Sequence, residues 1–216
     1  MPLSTGTVSE MDEPPPKLTR REQYALTTKR AIVDAARSLF AERGYFATTV
    51  DDIAAEAEVA PATVYSSTGG KQGLLSELIR LWQSDPLIKS TMNELHAASD
   101  PNVIIDRLSS ATRQIREAWA DVIAILLTTA PHDAGVATQL NIPTENYRAA
   151  IGEIAQRLAK LGALRDGVDV TQASDILWFY FGYGALSTLR DEIGWTYERA
   201  ELWLANQAKR DLLAPS

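Results

Sequence analysis

Apolar positions along the 216-residue chain recur at helical spacing almost throughout, and no stretch alternates as a half-buried strand does. Ile32, Ala35, Ala36, Leu39 and Phe40 fall at i, i+3, i+4, i+7 and i+8, which predicts a helix over 28–43, capped by Thr27 or Thr28 and stopped at Gly44. Thr49 then caps a second helix whose apolar face is Val50, Ile53, Ala54 and Ala57, with Asp51 and Asp52 at its positive end. Pro61 opens a third, where the first turn needs no amide hydrogen, and Val64 points inward. Gly69 and Gly70 end it, and Lys71 starts a fourth helix carrying Leu74, Leu75, Leu78, Ile79 and Trp82.

Further along, Asp100 and Pro101 open an apolar segment running through Ile104, Leu108, Ile115, Trp119, Ile123 and Leu127. It reads as two helices with a break near 117–120 and an end at Pro131. Pro143 and Thr144 open another helix, with Tyr147, Ile151, Ile154, Leu158 and Leu161 inward and Gly162 as its stop. A helix over about 171–192 and a last one over 196–213 complete an all-α reading.

Helices of about two turns do not hold together alone, so those after Thr49 and Pro61 must pack across their tight turn against the first helix. That arrangement is a helix-turn-helix. Its second helix presents only small or hydrogen-bonding residues outward, Pro61, Ala62, Thr63, Tyr65 and Ser66, so its backbone can approach the floor of a major groove. The alternative is that both short helices merely complete a bundle.

Charge favours the first reading once its distribution is considered. The net charge is −7, from 21 basic and 28 acidic residues, which by itself argues against a nucleic-acid partner. Residues 17–43, however, hold seven basic side chains against three acidic ones, directly before the two short helices. A basic stretch alone is most simply a solvated helix face, but phosphate contacts come from elements flanking a reading helix. Residues 1–16, with Glu10, Asp12, Glu13 and three consecutive prolines, read as a disordered tail.

The rest of the composition excludes more than it assigns. There is no cysteine and only His96 and His132, which removes disulfides, thiolate zinc sites and cysteine nucleophiles; no metal or cofactor is expected. Apolar residues make up 45%, and no run reaches the ~20 needed to span a bilayer, so a cytoplasmic protein without a membrane partner is expected. Gly69-Gly70-Lys71 invites a nucleotide-binding or enzymatic reading. A phosphate loop needs glycine where Tyr65 stands and Ser or Thr where Gln72 stands, so that reading fails.

The runs IVDAARSLFAERG (32–44), TTVDDIA (48–54) and TVY (63–65) resemble the DNA-binding domain of the tetracycline-repressor (TetR) family. GALR (162–165), GWT (194–196) and Trp203-Leu204 resemble the last two helices of one branch of it. With an acidic, proline-rich tail and basic arm read over 1–22 from composition, the resemblance implies a reader over 23–71 and a helical ligand-binding and dimerisation bundle over 72–216. It further implies a repressor that binds a palindromic double-stranded operator as a homodimer and is released by a small apolar or aromatic effector.

DNA contacts are then expected from Arg20 and Arg21 of a flexible arm that also includes Lys17, from Thr48 and Thr49, from Pro61, Ala62, Thr63, Tyr65 and Ser66, and from Lys71 on phosphate. Candidate pocket residues are Trp82, Trp119, Ile123 and Leu127, with Tyr147, Trp178 and Tyr183 from the later helices. The run Ile176–Leu186 is apolar on all sides, so something must cover a second face. Gly182, Gly184, Ala185 and Leu186, with Trp195 and Trp203, are the expected dimer contacts. Two positions depart from the family pattern. Glu58 stands where the turn usually has glycine, and Thr68 where an aromatic ring is usual.

Overall fold

The structure, a computed structural model, describes residues 18–215. Among these there are ten α-helices and no strand; one isolated bridge joins Leu164 to Leu213. The expectations for residues 1–16 and for Lys17 lie outside the described residues.

Helix α1 spans Arg20–Arg43, eight residues longer at its start than the apolar spacing indicates. Thr19 and Glu22 form a reciprocal capping box, while Thr27 turns its hydroxyl back onto the Gln23 carbonyl inside the helix. The first two turns are exposed, so they carry no apolar stripe to reveal them. Helices α2 (Val50–Glu56), α3 (Pro61–Thr68) and α4 (Lys71–Gln83) follow as expected. Helix α5 (Pro86–Ala97) is an addition to the sequence reading; of its residues only Leu95 is fully buried, so its stripe is weak.

Helix α6 (Pro101–Thr129) has the expected break, at Trp119, whose φ of −128° and ψ of 16° leave the helical region. A 3₁₀ turn at Ala130–His132 leads to α7 (Ala134–Lys160), capped by Asp133. Pro143 therefore sits inside α7 instead of opening it, at the cost of one ladder hydrogen bond. The single helix expected over 171–192 is interrupted. Helix α8 (Val170–Phe181) ends at Gly182, α9 is only Gly184–Ser187, and a π turn covers Thr188–Glu192. A Cβ at Gly182 would lie 2.4 Å from the Trp178 carbonyl oxygen, so the interruption depends on glycine there. Helix α10 (Tyr197–Leu212), capped by Thr196, closes the fold.

Two apolar clusters hold the molecule. The first joins α1–α4 to the end of α6 and the start of α7 through Val122, Ile125, Leu126 and Val136, so no core boundary falls at residue 71. The second lies among α5, α6, α7, α8 and α10.

Candidate functional site

The α2–α3 pair is built from local signals. The Thr49 hydroxyl accepts from the Asp52 amide, and the Asp52 carboxylate accepts in return from the Thr49 amide and hydroxyl. These hydrogen bonds, the hydroxyl's first, hold the Asp52 carboxyl below its ordinary range. Between the helices the Val59 amide reaches back to the Ala54 carbonyl at 2.9 Å, a wrapped helix end that requires a left-handed residue. Glu58 supplies it with φ 54°, the one positive φ outside glycine among the described residues.

Helix α3 then buries Val64 and leaves Pro61, Ala62, Tyr65 and Ser66 exposed, with Thr63 half-exposed. Gly70, at φ 82°, gives the Tyr65 ring room; a Cβ there would lie 3.1 Å from its edge. Thr68 turns its hydroxyl onto the Val64 carbonyl, and an open cleft beside it is lined in part by Lys29 and Glu77, themselves ion-paired at 3.1 Å.

Four of the expected DNA contacts have particular local settings. Thr48 is 1% exposed and spends its hydroxyl on the Leu39 and Gly44 carbonyls, so its side chain is unavailable to a ligand. Arg20 and Arg21 belong to the first turn of α1, not to a flexible lead. Lys71 starts α4 with its ammonium 4.4 Å above the Tyr45 ring, and burial lowers its pKa while Asp133 opposes that shift.

In the bundle lies a partly open cavity of about 300 Å³, lined by α4, α5, α6, α7 and the interrupted end of α8. Of the candidate pocket residues, Trp82, Ile123, Tyr147 and Tyr183 line it. Trp119 does not: its indole N–H donates to Asp85 at 2.8 Å and Arg37 stacks over its ring at 4.8 Å. Leu127 faces a second, smaller cavity, and Trp178 packs behind Tyr147 and Tyr183 under the Arg148 guanidinium.

Sequence reasoning missed Arg116. It follows Leu108 and Thr112 at four-residue steps on the buried side of α6, and a cation on an otherwise apolar stripe was the signal available. Its Nη2 donates to the Tyr183 carbonyl and, at 2.7 Å, to the Ser187 hydroxyl. The Tyr147 hydroxyl donates to the Phe181 carbonyl at 2.5 Å. Carbonyls at the helix interruption are thus satisfied by cavity-lining side chains. Burial pushes the Arg116 guanidinium below its ordinary pKa and raises the Tyr147 and Tyr183 phenols.

The interface expectation splits as well. Gly182 is in the cavity wall and Leu186 is 2% exposed, so neither can meet another subunit. Gly184 is exposed, Ala185 half-buried, and Trp195 packs edge-on to Trp203 at 5.8 Å, with Trp203 still 41% exposed. The outward apolar side chains not foreseen are Phe179, Ile193 and Leu202. Reader and bundle are joined by Arg37 of α1, which holds Asp121 of α6 through two bonds of 2.6 and 2.7 Å and the Ala118 carbonyl at 2.6 Å. Among the described residues no cluster could hold a metal ion and no helix is long and apolar enough to cross a membrane.

Residues 32–78 match the family model for bacterial regulatory proteins, tetR family. The HTH-type transcriptional regulator YvkB of Bacillus subtilis (strain 168) is 24% identical over 160 residues, 72% of this chain and 80% of that protein. Two solved structures share the fold. A transcriptional regulator from Saccharomonospora viridis in complex with choline has a TM-score of 0.72 at 20% identity, covering 88% of this chain and 100% of that one. SmeT in its triclosan complex has a TM-score of 0.69 at 19% identity, over 88% and 93%.

Proposed function

We propose that this chain, which residues 32–78 place in the tetR family of bacterial regulatory proteins, is a repressor that docks two readers on a palindromic operator as a homodimer. In this reading it is released when a small organic molecule fills the bundle cavity. Membership makes it a DNA-binding transcriptional regulator; the operator, the dimer and the effector are the proposal. The observation that carries it is α3, a short helix exposing Pro61, Ala62, Tyr65 and Ser66 from a turn fixed by Thr49 and Glu58, with the basic start of α1 nearby in sequence. Such a helix can enter a major groove while flanking elements take phosphates.

Two readers must sit about one DNA turn apart, roughly 34 Å, to engage both half-sites. The groups that would face outward to hold two subunits together are Phe179, Ile193, Leu202 and Trp203 of α8, α10 and the segment between them. The captured complexes of similar fold, with choline and with triclosan, support an organic effector.

Selection from a random duplex pool tests the reading. We expect enrichment of a near-palindrome, uniform weakening by Tyr65→Ala, and altered base preference in Thr63→Ala. Failure to enrich any sequence would refute it.

A further inference from the structure

The cavity wall is mostly apolar, with Gln83, Thr91, Thr112 and Asn146 as neutral polar residues. Arg116 is the one charged residue that lines it, and it is 6% exposed. No carboxylate among the described residues lies within salt-bridge distance of it. Asp191, on the smaller cavity that Arg116 also borders beside Arg190, acts on it only through space, and the Tyr183 ring lies 5.7 Å from the guanidinium carbon. Its Nη2 is used, on the Tyr183 carbonyl and the Ser187 hydroxyl, but its buried Nη1 has no hydrogen-bond partner. A buried guanidinium is never neutral, and a buried charge without a counter-ion is among the costliest arrangements a fold can keep. Bracing the helix interruption accounts for Nη2 only. It leaves the charge without a carboxylate in contact and Nη1 unused.

We propose that the effector is an amphiphilic anion, an apolar chain or ring bearing a carboxylate or comparable oxyanion, whose head group is the missing partner of Arg116. This rests on the reading of the cavity as the effector site. Thr112, one turn before Arg116, brings a hydroxyl to the same wall, while Trp82, Leu108, Ile115 and Ile154 receive the apolar part. A cationic ligand would bring a second positive charge beside the buried guanidinium. The aromatic rings of Trp82, Tyr147 and Tyr183 offer it too little to offset that repulsion.

The test uses the full chain with octanoate, octanol and octyltrimethylammonium as matched probes, followed by tryptophan fluorescence and thermal shift. The variants are Arg116→Gln, Arg116→Lys and the cavity-filling Ala111→Phe, each checked for helicity by circular dichroism. Octanoate should bind the parent at least ~10-fold more tightly than either other probe. Arg116→Gln should weaken octanoate by roughly 10-fold or more and octanol by less than about 3-fold, and Arg116→Lys, which keeps the charge, should recover part of the loss. Ala111→Phe should abolish both. If octanol or the ammonium binds as well as octanoate, or if Arg116→Gln leaves the octanoate preference intact, the anionic assignment is wrong while the cavity remains the site. If octanoate binding survives Ala111→Phe, or no probe binds the parent, the cavity reading and the assignment fall together.

Discussion

If the proposed homodimer forms through the outward apolar side chains of α8 and α10, a charge there should separate it without unfolding the subunit. Phe179 is 68% exposed, Ile193 56%, Leu202 66% and Trp203 41%. That is somewhat over two whole apolar side chains in water on each protomer. At about 1.5–3 kcal/mol per side chain, covering them in a symmetric pair yields roughly 7–14 kcal/mol over both copies. Association costs about 4–15 kcal/mol in lost freedom, so this patch roughly breaks even, and half-buried neighbours such as Trp195 must supply the surplus. An interface with so little margin cannot lose a principal side chain. Phe179→Glu, present twice by symmetry, removes about 2–4 kcal/mol of burial, roughly 30- to 1,000-fold in the dimerisation constant, before the desolvation of two like charges is added. Sedimentation at micromolar concentration should show a helical monomer for Phe179→Glu and for Leu202→Glu. Leu186→Glu, by contrast, should unfold the protein, because Leu186 lies in its own subunit's core. Parent-like dimers for both surface variants would place the interface elsewhere. A monomer that bound the full operator as tightly as the parent would refute the two-reader mechanism.

Three further outcomes follow from the contacts. Arg37→Met and Asp121→Asn should each cost about 1–2 kcal/mol in urea denaturation, with a coupling of ~1 kcal/mol in the double variant, since each side chain is 30% exposed and the pair is bidentate; additive losses would dissolve the link between α1 and α6. Hydrogen bonds from Arg80, and then from Lys29, hold the Glu77 carboxyl at about 2 against the opposing effect of burial. A depressed carboxyl stabilises above its unfolded pKa, so the advantage of the parent over Glu77→Gln, on the order of 1 kcal/mol, should be constant above about pH 4.5 and vanish toward pH 2. A difference that did not change with acid would remove the assignment. Glu58→Gly should gain roughly 0.5–1 kcal/mol and a higher melting temperature, because relief of the left-handed strain at φ 54° outweighs glycine's extra chain entropy; a lower melting temperature would contradict it.

What was legible in the sequence follows from how far each signal reaches. Thr49, Pro61 and Gly69 act within one helical turn, so the reader's helices fell where the residues put them. The break at Trp119 was likewise local in its apolar spacing. The start of α1 was not legible, because a capping box at Thr19 sets it and no burial marks those first turns. Pro143 misled for the opposite reason. A proline is a strong local signal, yet the packing of α7 on α4, α6 and α8 overrides its lost hydrogen bond. Gly182 looked like a residue for close approach between subunits, and it is a residue for close approach, but to Trp178 of its own chain. Facing direction on an all-apolar run depends on which neighbours arrive. Spacing alone does not contain that information.

The same limit hid Arg116 and Arg37, and together these two explain how a cavity could govern a reader. Both act through α6. Thr112, Ile115 and Arg116 are α6's part of the cavity wall near the break, and five residues beyond Arg116 Asp121 grips Arg37 of the reader's first helix. Trp119 interrupts the helix between them and is itself held from two sides, by Asp85 before α5 and by Arg37. An uninterrupted helix would carry a push at Arg116 along its axis as a small translation. A helix with a non-helical residue between load and grip can change direction there instead, and a change of direction swings everything attached to its far end. Because α1 packs on α2, α3 and α4, a swing of Arg37 carries the reader with it. In the proposed dimer, two half-sites fixed by the DNA repeat would tolerate little change in reader separation, so a small displacement at the cavity would cost one of the two dockings.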